Sequence, residues 1–173
     1  YETKNVSGIS HFLEHMFFKG TKKRPKTKDI AESLDAVGGE FNAYTSQEST
    51  AYYAKVDKEH ISLAIDVVSD IYLNSKIEEK EINKERGVIL QEINMYEDNP
   101  MLSVGEEFEN LLYGDQPAGW KVIGTKENIA AVGRKDFVDY RAKFYSAKNT
   151  VVCAVGNFGE IGESGVIGEI GKI

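Results

Sequence analysis

Cysteine is almost missing from this chain of 173 residues, with Cys153 as the single example. One thiol excludes an internal disulfide and any zinc site built on paired cysteines. It stands in the apolar run Val151-Val152-Cys153-Ala154-Val155, a pattern that predicts a buried strand with the cysteine inside it. Long apolar runs are missing too: none approaches the roughly 18–20 residues that a bilayer-spanning helix needs. Positive charge is in deficit, with 21 basic against 28 acidic residues and a net charge of −7. Phosphate binding needs a basic surface, so nucleic acid is excluded as the main partner. The one basic cluster is Lys19, Lys22, Lys23, Arg24, Lys26 and Lys28. It reads as a solvated loop, with a contact surface for an acidic partner as the alternative. The chain opens at Tyr1 with no initiator methionine and no secretory leader pattern. That opening reads as a trimmed start, so the missing leader carries no information on location.

What is present suits a core-forming soluble fold. Hydrophobic residues make up 41% and charged residues 28% of the chain. Ser10 to Phe18 has helical spacing and ends at Gly20-Thr21. Thr27 is placed to cap a second helix running through Ile30, Leu34 and Val37 to Gly38-Gly39. Glu40 to Thr45 and Ser49 to Val56 alternate as two strands of a hairpin. Phe41 and Ala43 share one face of the first strand, and Asn42 and Tyr44 the other. In the second strand, Tyr52 and Tyr53 point to opposite faces. Asp57 is placed to cap a helix with an apolar stripe from Ile61 to Tyr72. A long charged helix follows over about Glu78 to Tyr96, broken at Asp98-Asn99-Pro100. Further helices are expected at Met101 to Tyr113 and Lys135 to Phe144, with a loop from Gly114 to Gly119. In the tail, glycine recurs every third residue from Gly156 to Gly171 without proline. This excludes a collagen helix and predicts a poor α-helix. His60 reads as a surface histidine and Trp120 as a packing anchor.

One stretch carries chemistry: His11-Phe12-Leu13-Glu14-His15. Residues four apart on a helix face the same way, so His11 and His15 can ligate one metal. Glu14 stands beside them, free to take a proton from water without ligating. This is the order H-x-x-E-H, the inverse of H-E-x-x-H. Hydrolytic zinc needs about three protein ligands and an open position. The third ligand must come from elsewhere, and the long helix offers Glu78, Glu79, Glu81, Glu85, Glu92 and Glu97. Glu85 and Glu92 are seven apart and lie near one face. Val88 and Ile89 between them suggest that this side is partly buried. Spacing does not choose between them.

The stretches Gly8 to Thr21, Asn42 to Ser46, Tyr52 to Ala54, Glu85 to Ile93, Ile123 to Thr125 and Asn149 to Val152 together resemble the pitrilysin/insulinase-type inverzincin peptidases. That family includes bacterial processing proteases and the mitochondrial processing peptidase beta subunit. The resemblance runs in family order to about Phe158. It implies an α+β fold, a mostly antiparallel sheet packed against helices, forming a metallohydrolase half-domain. It implies Zn2+ on His11, His15 and Glu92, with Glu14 as general base and Glu85 as the supporting glutamate near the site. It also implies that Asn42, Ala43 and Tyr44 bind a peptide substrate as an added strand. Residues 1–173 would be an N-terminal zinc-binding peptidase domain, with opening strands and a second half absent. A second family domain or subunit would complete the chamber. The function implied is a zinc endopeptidase acting on peptides or presequences. The alternative is a non-catalytic peptide-binding or assembly subunit of a two-part processing peptidase.

Overall fold

The first helix buries one face completely. In α1 (Ile9–Phe17), the apolar residues Ile9, Phe12, Leu13, Met16 and Phe17 recur at helical spacing and are all buried. Burial of each such side chain stabilises the fold by about 1.5–3 kcal/mol. This leaves His11, Glu14 and His15 on the remaining face. The structure is a computed structural model and describes residues 2–172.

After α1 come α2 (Thr27–Asp35), the hairpin β1 (Glu40–Thr45) and β2 (Thr50–Lys55), α3 (Ile61–Asn74) and α4 (Glu79–Asp98). The chain continues through α5 (Pro100–Tyr113), α6 (Lys126–Ala131), α7 (Arg134–Phe144) and α8 (Gly162–Ile170). The described residues form one two-stranded sheet, β1-β2. The fold is α+β and helix-rich, with a small antiparallel sheet.

Two compact units divide the chain. The first holds residues 1–16, 44–51 and 77–140. Its core includes Phe12 packed edge-to-face on Phe137, with ring centroids 4.8 Å apart. Gly8 and Gly124 sit backbone to backbone there. Both have positive φ (+95° and +82°), and a Cβ on Gly124 would meet the Ser7 carbonyl oxygen at 2.4 Å. Only glycine allows this approach and this conformation. It seats the turn that leads into α1. Arg86 of α4 donates to the carbonyls of Ile129 and Val132 at the end of α6. Its guanidinium also lies over the Phe12 ring, 5.8 Å from the centroid.

The second unit holds residues 17–43, 52–76 and 141–173. Ile30 and Leu34 of α2 pack on Val67 and Ile71 of α3, with Phe18, Phe41 and Tyr52 against them. Tyr52 faces this core while Tyr53 is 49% exposed, as alternation on a strand requires.

Several elements differ from expectation. Lys26, not Thr27, occupies the position before α2, and its N–H donates to the Asp29 carboxylate at 2.9 Å. Helix α6 is only six residues long, too short for a periodic signal. Residues 151–155 are not a buried strand. They carry no strand pairing, Val151 and Val155 are each 91% exposed, and Cys153 is exposed. A strand needs a ladder partner, and among the described residues none lies beside this segment. The glycine-rich tail does form a helix, α8, with Val166 buried. Packing overrides its poor propensity, since α8 lies against α3. Arg24 of the basic cluster is buried rather than solvated. Trp120 is half-buried, with its indole N–H donating to Asp115 at 3.0 Å.

Candidate metal centre

Two helices of the first unit position the polar groups. On α4, Ile82, Glu85, Ile89 and Ile93 are buried at helical spacing. Glu85 is therefore carried inward, and only 6% of it is exposed. Glu92, one residue before Ile93, lies at the edge of this buried stripe and is half-buried. Val88, by contrast, is exposed.

His11, His15 and Glu92 each offer one ligand atom, and these atoms lie within 4.8 Å of one another. Glu92 faces both imidazoles: Oε1 is 3.7 Å from His11 Nε2, and Oε2 is 3.7 Å from His15 Nε2. These gaps are too long for hydrogen bonds. Tetrahedral zinc with bonds of about 2.0–2.1 Å sets its ligand atoms about 3.3–3.4 Å apart. The two nitrogens and the carboxylate thus suit zinc in chemistry, and they converge at a spacing somewhat wider than a bound ion sets.

Glu85 and Glu92 occupy different places. Glu85 Oε1 accepts from His15 Nδ1 at 2.9 Å. That bond places a proton on Nδ1 and turns Nε2 toward Glu92. His11 Nδ1 is buried and, among the described residues, has no hydrogen-bond partner. The two imidazoles meet edge-on, with centroids 4.7 Å apart.

Burial sets the charge states. It pulls the His11 pKa down to about 4, with the neighbouring His15 adding to the effect. His11 is therefore neutral at pH 7, as a ligand must be. Burial raises the Glu14 carboxyl above its ordinary value. A hydrogen bond from Thr45 and the charge of His15 oppose this, while Glu92 adds to it. Glu92 is also raised, first by burial and then by Glu85, against the pull of His15.

Thr45 gives no functional signal of its own in the sequence, yet its hydroxyl donates to Glu14 Oε2 at 2.5 Å. Its one signal in sequence was a place inside the matched stretch Asn42 to Ser46. Tyr44 is exposed and belongs to the same unit as His11 to His15. Asn42 and Ala43 fall in the second unit. Asn42 is exposed, Ala43 is half-buried, and the Asn42 carboxamide oxygen accepts from the Ala43 N–H at 2.9 Å.

Known proteins share this arrangement of sequence and fold. An uncharacterized zinc protease of Bacillus subtilis is 41% identical over 92% of this chain and 39% of its own length. One of Rickettsia bellii is 46% identical over 91% of this chain and 38% of its own. A protease from Helicobacter pylori, solved as a crystal structure, superposes with a TM-score of 0.91 at 27% identity. That match covers 99% of this chain and 40% of the protease. The chain thus spans about two fifths of the length of these relatives. Residues 1–126 match the insulinase family, and the chain belongs to that family of peptidases, family M16.

Proposed function

We propose that this chain is the zinc-binding domain of a larger metalloendopeptidase. His11, His15 and Glu92 hold the metal, and Glu14 acts as general base. The convergence of these three ligand atoms within 4.8 Å, with Glu92 3.7 Å from each imidazole, beside a half-buried Glu14 carries the reading. A zinc ion bound there supplies Lewis acidity, lowering the pKa of a water beside it to about 7 and polarising a peptide carbonyl. Glu14 takes the proton of the attacking water and delivers it to the leaving amine. Burial raises its pKa toward the working range of a base that must also give its proton back. Glu85 fixes the tautomer and orientation of His15 through the bond at 2.9 Å. Asn42, Ala43 and Tyr44 of β1 take the peptide as an added strand, with backbone pairing that tolerates many sequences.

The domain spans residues 1–173, and a second family domain or subunit completes the chamber. The relatives are about two and a half times as long, which supports this division. The chain alone is therefore expected to bind zinc and to cleave peptides poorly, while the full-length gene product cleaves a peptide library. Glu14→Gln in that product should keep zinc and lose turnover. Zinc binding without cleavage by the native full-length product would point to a non-catalytic subunit instead.

A further inference from the structure

We propose that Thr45 is a positioning residue for Glu14, coupling the hairpin to the catalytic base. The proposal rests on the reading of Glu14 as the base. Thr45 Oγ1 stands 2.5 Å from Glu14 Oε2, and a carboxylate only accepts, so the threonine proton is committed to Glu14. Its lone pairs then face Thr50 Oγ1 across the hairpin at 3.2 Å. The two hydroxyls form a relay from β2 through β1 to the base. Among the described residues no hydrogen bond engages Glu14 Oε1, which leaves that oxygen for the proton of water.

The strand makes the coupling short. Burial alternates along β1, so Thr45 turns inward with Phe41 and Ala43, and Asn42 and Tyr44 turn outward. A ligand gripping Tyr44 is one peptide unit from the residue that holds Glu14. A glutamate side chain has three rotatable bonds, whereas a β-branched threonine in a strand is stiff at χ1. The hairpin therefore imposes its order on the carboxylate, and not the reverse. Its tip is itself pinned. Ser46 N–H donates to the Ser49 carbonyl at 2.8 Å, and the Gln47 amide donates to the Trp120 carbonyl at 3.0 Å.

Thr45→Val keeps the shape and removes the donor, and Thr45→Ser restores it. The test has one arm without catalysis. In the zinc-free chain, Thr45→Val should lower the melting temperature, and the loss should vanish in a Glu14→Ala background. In the full-length gene product, Thr45→Val should cut kcat by roughly 10–100-fold, with KM and bound zinc unchanged. Thr45→Ser should recover most of the native kcat. An additive melting cycle, an unchanged kcat, or loss of zinc in Thr45→Val would each overturn the proposal. If Glu14→Gln retains full activity, the reading of Glu14 as base fails, and the zinc-free cycle still decides the Thr45–Glu14 link.

Discussion

Each compact unit contains a cluster of buried and half-buried polar groups, and the two clusters are built on opposite plans. In the second unit every contact around Arg24 is a direct one. Its guanidinium donates to Asp70 at 2.8 Å, to Asp66 at 2.5 Å and to Ser33 at 3.2 Å. Thr21 Oγ1 donates to Asp70 at 2.7 Å and accepts from the Arg24 N–H at 2.8 Å, while Asn74 donates to the other Asp70 oxygen at 3.0 Å. In the first unit, Glu92 and the two imidazole Nε2 atoms converge and stop at 3.7 Å. Desolvated polar groups cost free energy unless something pairs them. The Arg24 cluster closes its own bonds and is a structural tie between α3 and the loop before α2. In the proposed reading, the histidine cluster leaves its bonds to be closed by a cation. Its direct bonds run from His15 to Glu85 and from Thr45 to Glu14, the pairs that hold the proposed ligand and base in place.

Glu14→Gln separates the two kinds of cluster most sharply. In the full-length gene product it should reduce kcat by about 10²–10⁴-fold, the usual share of general acid–base catalysis. Zinc content and melting temperature should stay near native.

Asp70→Ala is the converse. Leaving the Arg24 charge buried without its partner should cost about 3–5 kcal/mol, or roughly 10 °C in melting temperature for a domain of this size. Zinc affinity of the folded chain, read by calorimetric titration, should not change. A large loss of affinity would show that the Arg24 cluster serves the metal after all.

Glu85→Gln tests the support of His15. An amide holds the imidazole less firmly than a carboxylate, so zinc affinity should fall about 10–100-fold with stoichiometry preserved. The same substitution at Glu92 should abolish stoichiometric binding, which ranks the two glutamates by experiment.

The smallest effect is in acid. Burial pushes the Asp66 carboxyl up, but hydrogen bonds and charge from Lys23 and Arg24 outweigh it, and the net pKa is lowered. A lowered folded-state pKa means that stability is fully present above the unfolded value of about 3.9. It is lost as pH falls through the lower folded value. Urea midpoints measured from pH 5 down to pH 2 should therefore drop, and Asp66→Asn should flatten that slope. Asp66 is well exposed, so solvent screening keeps the effect modest.

Periodicity made most of the fold legible. Helices α1, α3 and α4 and the hairpin carry their apolar stripes or alternation in plain view. The misses share a physical cause: their determinants are distant in sequence. Arg24 looked like one more solvated cation because its partners lie 42 and 46 residues away. Thr45 meets Glu14 across 31 residues. The run from Val151 to Val155 has the composition of a strand, but composition does not supply a ladder. The tail has the composition of a loop, but packing against α3 makes it a helix. At the metal centre, the spacing of His11 and His15 announced a shared face. Spacing left Glu85 and Glu92 tied and the family resemblance pointed to Glu92; the fold sets Glu85 against His15 Nδ1 and Glu92 against both Nε2 atoms.

Zinc per chain, measured by atomic emission after dialysis, tests the central claim most directly. One zinc is predicted for the native chain and for Glu14→Gln, and none for His11→Ala, His15→Ala or Glu92→Gln. A native chain without zinc, or a Glu92→Gln chain that keeps it, would contradict the assignment.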